Sequence, residues 1–327
     1  RNLVVCIDGT ANQFGIKNTN VVELYSRLIK NDEQLTYYNS GIGTYVKPSL
    51  WSPSYWKQFL KHSADMAVAW NFKKIVLGAY QWLSENYKDG DRIFLFGFSR
   101  GAYQVRVIAG MIERVGLLHK GNNDQIPLYT FIILSQQNSE DPKMLCERFK
   151  TALSQLNVRV HFVGAWDTVS SIGIARGPSL PETTTGMKHV CAFRHALALD
   201  ERRVKFLPEY ANGGRGPEDD SNTREVWFTG SHSDIGGGNE YNLDSDHFRP
   251  ALRWMSLHAI RWGLKMAPYH GQRKPIKFNE SLTGFWKVLE FLPFRRLTYK
   301  DENHTTYWPH RGAPRQVQAG QLIHQSV

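Results

Sequence analysis

The chain has 327 residues, of which 41% are hydrophobic and 13% aromatic, a composition that fits one large α/β domain or two smaller ones. No apolar run reaches membrane-spanning length, and three scattered cysteines favour a reducing compartment such as the cytoplasm over a disulfide framework. The net charge of +10 is spread along the chain rather than gathered in a basic tail, so we expect no nucleic-acid partner and keep peripheral contact with an anionic membrane as a hypothesis.

Apolar runs typical of buried strands alternate with stretches of helical spacing over the first 264 residues. Strands are predicted at 3–7, 34–39, 92–96, 158–164 and 225–229, and helices at 21–29, 73–87, 102–115, 194–200 and 247–262, with another starting at Asp141-Pro142. This alternation predicts an α/β fold with a mostly parallel sheet flanked by helices. Ligands of such sheets bind beyond the carboxyl ends of the strands.

Two regions depart from this alternation. Residues 45–72 are crowded with aromatic side chains, and we predict an insertion near the site. Its Trp51, Tyr55, Trp56 and Phe59 either form the core of a small subdomain or line an apolar substrate pocket. Residues 265–327 are irregular and interrupted by prolines, and we predict an extension packed on a catalytic domain that spans 1–264.

The pentapeptide Gly97-Phe98-Ser99-Arg100-Gly101 lies directly between a predicted strand and a predicted helix. In that context Gly-x-Ser-x-Gly is typical of the nucleophile elbow of α/β-hydrolases, where a sharp turn exposes the serine hydroxyl. The alternative is an ordinary loop with a helix-capping serine. We interpret Ser99 as the nucleophile because the strand and the helix stand where the elbow requires them.

A serine nucleophile needs a base, usually histidine, that is oriented by a carboxylate. In α/β-hydrolases the chain order is serine, acid, histidine, and Ser99, Asp167 and His232 follow it, each just after a predicted strand. Asp234 is a rival acid, and His195, predicted to lie in a helix, is a reserve base. Asp167 could also merely cap a turn, and His232 could be a loop histidine bonded to backbone.

The tetrahedral intermediate of such a reaction needs hydrogen-bond donors for its oxyanion. The amide of Arg100, directly after the nucleophile, is one predicted donor, and the amide of Gly9 or Thr10 is the other. Three consecutive glycines at 236–238 lack the flanking residues of a phosphate-binding loop, so we expect them to let backbone pass close to the site. We expect no metal and no cofactor.

Six short motifs, taken together, resemble the α/β-hydrolase family of the type VI secretion phospholipase effectors (Tle-like). They are Cys6–Thr10 (CIDGT), Asn18–Val21 (NTNV), Gly97–Tyr103 (GFSRGAY), Trp166–Val169 (WDTV), His195–Arg202 (HALALDER) and Gly230–Gly237 (GSHSDIGG). The resemblance implies an α/β-hydrolase catalytic domain that cleaves carboxylic esters, with phospholipids as substrates of its best-known members. It also implies the roles of nucleophile for Ser99, acid for Asp167 and base for His232.

We therefore predict a serine hydrolase that cleaves carboxylic esters, lipid or phospholipid acyl esters above all, through an acyl-enzyme. A thioesterase or a peptidase could use the same three residues. A pseudo-hydrolase that binds a lipid or a protein without turnover is the alternative from another class. The sequence does not indicate acyl-chain length, head group or oligomeric state.

Overall fold

The structure is a computed structural model that describes residues 1–9, 17–41, 62–125, 141–155, 157–170, 182–218, 222–238, 249–269, 278–293, 295–299 and 305–327. Its centre is a seven-stranded sheet in the order β11–β8–β7–β6–β3–β1–β2, in which all neighbouring strands run parallel. These strands are β1 (Asn2–Ile7), β2 (Gln34–Asn39), β3 (Arg92–Phe98), β6 (Val160–Trp166), β7 (Ala192–Ala198), β8 (Thr223–Phe228) and β11 (Leu322–Ile323). The predicted α/β class with a mostly parallel sheet is confirmed.

Helices cover both faces of the sheet. They are α1 (Asn20–Arg27), α2 (His62–Asn86), α3 (Arg100–Val115), α4 (Asp141–Leu153), α5 (His232–Gly236), α6 (Pro250–Arg261) and α7 (Phe285–Leu289). Alternate residues of β1 point to opposite cores, so Leu3 and Val5 pack with α2, α3 and α4, while Val4 and Cys6 pack with α1 and α6. Both faces of this strand are therefore buried, which explains its continuous apolar sequence.

Four short strands of the described residues pair outside the main sheet. β4 (Leu117–Leu118) pairs with β5 (Ser154–Gln155), and β9 (Arg296–Leu297) pairs with β10 (Thr305–Thr306), both antiparallel. The last strand, β11, adds to the edge of the main sheet beside β8. The C-terminal extension thus contributes a strand to the central sheet. In the part of the chain described above, no helix has the length and apolarity needed to cross a membrane.

One predicted element is wrong. The stretch 194–200 was expected to form a short helix, but residues Ala192–Ala198 form β7, which is buried along its whole length between β6 and β8. A short apolar run fits a strand or a helix equally well by periodicity, and its length and position in the sheet decide for a strand. In addition, α2 begins at His62, within the region predicted as an insertion, rather than at residue 73.

Candidate active site

The serine of the predicted elbow lies at a sharp turn between β3 and α3. Ser99 has a φ of 58° and a ψ of −123°, a conformation that costs a non-glycine residue of the order of 1–3 kcal/mol. A Cβ on Gly97 would overlap the Gly101 backbone, and a Cβ on Gly101 would overlap the backbone at Ile7 and Asp8. Glycine at both positions therefore lets the strand, the helix and β1 approach closely enough to form the turn.

Three side chains from three strand ends meet at this turn. Ser99 Oγ lies 2.9 Å from His232 Nε2, and His232 Nδ1 lies 2.6 Å from Asp167 Oδ2. Asp167 directly follows β6, and His232 starts α5 shortly after β8. The carboxylate at Nδ1 favours the tautomer in which Nδ1 donates and Nε2 accepts a hydrogen bond from the serine hydroxyl. The structure thus brings together the three residues that the sequence analysis selected.

The imidazole of His232 is held from several sides. Its ring lies between the rings of Phe98 and Phe206, with centroid distances of 4.6 and 4.8 Å. Its backbone amide donates a hydrogen bond of 3.1 Å to Glu201 Oε2. Burial raises the pKa of Glu201, but the hydrogen bond and charge of Arg203 outweigh it and lower that pKa. Phe98 and Glu201 lie inside the motifs noted above, but nothing in the sequence pointed to their contacts with His232.

The rival acid, Asp234, and the reserve base, His195, make hydrogen bonds outside the contact between Ser99, His232 and Asp167. Asp234 accepts hydrogen bonds from the amide and hydroxyl of Ser231, both at 2.8 Å, and from Asn279. Asp234 therefore caps α5, the helix that begins with His232. His195 donates from Nδ1 to Glu225 at 2.8 Å and accepts the Thr168 amide at Nε2 at 3.0 Å. Burial lowers the pKa of His195 despite the charge of Glu225. His195 is therefore neutral, and it bridges Glu225 to the backbone directly after Asp167.

The predicted oxyanion donors differ in their availability for hydrogen bonding. The amide of Arg100 lies in the first turn of α3, where helix geometry offers no intrahelical acceptor. The amide of Gly9 donates to Asp8 Oδ1 at 2.6 Å and is therefore engaged in this conformation. Asp8 also accepts hydrogen bonds from Thr19 and Tyr38, which ties the end of β1 to α1 and β2. The third predicted donor, Thr10, and the predicted substrate wall of Trp51, Tyr55, Trp56 and Phe59 lie outside the described residues.

An arginine that the sequence analysis missed completes the surroundings of the acid. Arg315, shortly before β11, binds both oxygens of Asp167, with Nη1–Oδ1 and Nη2–Oδ2 distances of 2.6 and 2.9 Å. Burial by itself raises the pKa of Asp167, but the charge of Arg315 and the hydrogen bonds from His232 and Arg315 outweigh it and hold that pKa well below its usual range. The carboxylate is therefore ionised at neutral pH although it is fully buried. No motif surrounds Arg315, so the sequence carried no signal for it.

The arrangement supplies what nucleophilic catalysis requires: a hydroxyl, a base in contact with it, and an ionised carboxylate behind the base. The first-turn amides of α3, which have no intrahelical acceptor, add partial positive charge beside the hydroxyl. Among the described ranges, no group of three or more histidine, cysteine or acidic side chains converges as metal ligands would. The chemistry that these residues offer is acyl transfer through a serine.

Comparison with known proteins identifies similar sequences. The family model described as type VI secretion system phospholipase effector Tle1-like, catalytic domain, matches residues 1–258. A curated protein of Saccharomyces cerevisiae, uncharacterized protein YEL023C, is 37% identical over an alignment of 225 residues, with 63% of this chain and 32% of that protein covered. The chain therefore spans about a third of the length of this yeast relative.

Two solved structures show a weaker similarity. An uncharacterized protein from Pseudomonas aeruginosa superposes with a TM-score of 0.46 at 16% identity, over 81% of this chain and 46% of that one. The Tle1 effector bound to the VgrG spike of the type 6 secretion system gives a TM-score of 0.37 at 18% identity, over 73% of this chain and 51% of the effector. The chain spans about half the length of each.

Proposed function

The chain belongs to the family of type VI secretion phospholipase effector Tle1-like catalytic domains, and from this premise we propose that it is a serine hydrolase that cleaves the acyl esters of lipids. One observation carries the proposal: the continuous contact from Ser99 Oγ through His232 to Asp167, at 2.9 and 2.6 Å. The strained backbone of Ser99 supports it, because such strain persists where function requires the geometry.

The proposed reaction has two halves. Ser99 Oγ attacks the ester carbonyl carbon while its proton passes to His232 Nε2, and the Asp167 carboxylate stabilises the resulting imidazolium. The amide of Arg100 donates to the oxyanion of the tetrahedral intermediate. The alcohol then leaves with the proton from Nε2, and an acyl-Ser99 ester remains. In the second half a water molecule replaces the alcohol, His232 takes its proton, and the fatty acid is released with Ser99 restored.

The positive charge of Arg100, the residue after the nucleophile, is suited to a lipid that carries a phosphate. Among the residues that the structure describes, none forms a hydrogen bond or an ion pair with the Arg100 side chain, and burial lowers its pKa. A guanidinium binds a phosphate oxygen pair readily, because its N–H groups match that geometry. The net charge of +10 also favours contact with an anionic membrane, where such substrates lie.

The test combines an active-site label with a substrate panel. Wild-type protein should react with a fluorophosphonate at Ser99 and should hydrolyse p-nitrophenyl esters and phospholipids. Ser99→Ala should abolish labelling and lower kcat at least about 10³-fold, and Asp167→Asn should lower kcat about 10⁴-fold. Ser256→Ala is the matched control, since the buried Ser256 hydroxyl has no hydrogen-bond partner in the described part of the chain.

The same panel separates the alternatives. Faster turnover of acyl thioesters or peptides than of any oxygen ester would assign the site to one of those substrate classes. Full turnover in folded Ser99→Ala would remove the proposed nucleophile. A wild-type protein that neither reacts with the fluorophosphonate nor hydrolyses any substrate, yet binds lipid vesicles, would instead be a binding protein.

A further inference from the structure

The side chain of Arg315 is committed almost entirely to the neighbourhood of Asp167. Besides its two bonds to the carboxylate, it donates from Nη1 to the Ala198 carbonyl at 2.8 Å and from Nη2 to the Phe206 carbonyl. Four of the five N–H groups of the guanidinium are thus used, and only Nε has no partner among the residues that the structure describes. With 2% of its side chain exposed, Arg315 is an internal part of the site rather than a surface ion pair.

The segment that carries Arg315 is itself fixed to the fold at two points. The hydroxyl of Tyr210 donates to the carbonyl of Gln316 at 2.9 Å. Further on, the side chain of Gln321 donates to Glu225 at 2.8 Å and accepts from Trp227 at 2.9 Å, just before β11 joins the sheet. The guanidinium is therefore held at Asp167 by a segment that is anchored directly after Arg315 and again just before β11.

We propose that Arg315 is a positioning residue of the hydrolytic site, which holds the Asp167 carboxylate in the orientation that its hydrogen bond to His232 requires. The inference rests on the proposed function and concerns a residue outside the range 1–258 matched by the family model. A guanidinium that spans both oxygens prevents rotation of the carboxylate and keeps Oδ2 directed at Nδ1 of His232.

Arg315 also compensates the charge of the acid throughout the reaction cycle. Before the attack on the ester, His232 is the proton acceptor and is neutral, so it offers the buried Asp167 a hydrogen bond but no charge. An unpaired carboxylate in the interior would be costly, and a guanidinium stays protonated at any working pH. Charge compensation and orientation are separate contributions, and lysine can supply the first without the second, because an ammonium group is a point charge.

The decisive variant is therefore Arg315→Lys, with Arg106→Lys as the matched control. Arg106 is also fully buried, and its guanidinium donates to the carbonyls of Thr183, Glu209 and Tyr210. We expect R315K to lower kcat about tenfold to a hundredfold with KM nearly unchanged, because loose positioning of the acid acts on the chemical step. We expect R106K to lower the melting temperature while the folded enzyme keeps its kcat.

A rescue experiment provides the second readout. Arg315→Ala in sub-denaturing guanidinium chloride should recover part of kcat, compared with the same variant in NaCl of equal ionic strength. Three outcomes would each overturn the inference: equal kcat of R315A in the two salts, a wild-type kcat in R315K, or the same loss of kcat in R106K as in R315K. If R315A does not fold, the kcat of R315K alone decides between the inference and its refutation. Failure of the proposed function can be distinguished from failure of this inference, because wild type and Ser99→Ala would then show the same turnover.

Discussion

Replacing Gly236 with alanine tests whether the base is held in place by packing. Gly236 ends α5, and a Cβ at this position would lie less than 2.5 Å from three carbons of the Phe98 ring. The Phe98 side chain is 3% exposed and packs with its ring centroid 4.6 Å from that of His232. Gly236 therefore leaves space for the Phe98 ring, which contacts the imidazole of His232.

The size of the effect follows from these distances. Carbon atoms in contact stay about 3.5–4.0 Å apart, so the Phe98 ring would have to move by about 1 Å or more. Because the interior is close-packed, the movement passes on to His232, whose Nε2 lies 2.9 Å from Ser99 Oγ. A misplacement of about 1 Å lowers kcat/KM about 100-fold, equivalent to about 2.7 kcal/mol. The overpacking itself should cost about 1–3 kcal/mol of unfolding free energy.

The assay measures kcat/KM on a p-nitrophenyl ester together with chemical denaturation of the same preparations. Gly78→Ala is the control, because it adds a methyl group inside α2 at an ordinary 3.6 Å from the Tyr37 hydroxyl. Adding Phe98→Leu to Gly236→Ala should recover part of the activity by removing ring atoms from the overlap. A folded Gly236→Ala variant that keeps kcat/KM within about twofold of wild type would refute the reasoning.

Three further predictions concern charged residues. Arg100→Gln should raise KM for a phospholipid about tenfold and leave KM for a neutral p-nitrophenyl ester nearly unchanged, whereas equal effects on both would argue against a phosphate contact. Asp234→Asn should cost about 1–2 kcal/mol in urea unfolding but leave kcat within about threefold, because Asp234 caps α5 and does not touch His232. Burial raises the pKa of Glu225, but the hydrogen bonds from His195, from Gln321 and from the Ala211 amide outweigh it and lower that pKa, as Arg203 does for Glu201. Their contribution to stability is therefore present above the unfolded-state pKa of about 4.3 and is lost on further acidification. The lowered pKa of His195 adds a loss that begins near its unfolded-state pKa of about 6.5, so the unfolding free energy should fall below about pH 6.5 and fall more steeply below about pH 4. A stability that rises on acidification in urea titrations would contradict this sign.

Much of the sheet could be predicted from the sequence because its central strands β1 and β3 are buried on both faces and therefore have nearly continuous apolar sequences. The run that became β1 and the exact span of β2 needed no information beyond apolar runs and turn residues. Polar residues directly after such runs, Ser99 and Asp167 among them, must lie at one rim of a parallel sheet. The three residues of the candidate site could be selected for this reason before any distance was known.

Other features could not be predicted because they depend on contacts distant in sequence. The run that became β7 is short and apolar enough for a helix, and only its neighbours β6 and β8 decide its conformation. Arg315 meets Asp167 across 148 positions of the chain and lies in a stretch without periodicity or motif. The contact between the Phe206 and His232 rings has the same origin, since an isolated aromatic residue does not indicate which ring it will contact.

The separation of 148 positions between Asp167 and Arg315 also bears on when the proposed active site becomes complete during synthesis of the chain. The nucleophile, the acid and the base all leave the ribosome before Arg315, and the earlier parts of a nascent chain begin to fold first. Until Arg315 arrives, the acid lacks its permanent counter-charge, and β11 has not yet closed the edge of the sheet. The growing chain therefore carries an incomplete site. The proposed hydrolase would therefore gain its full activity only after residue 315 has left the ribosome.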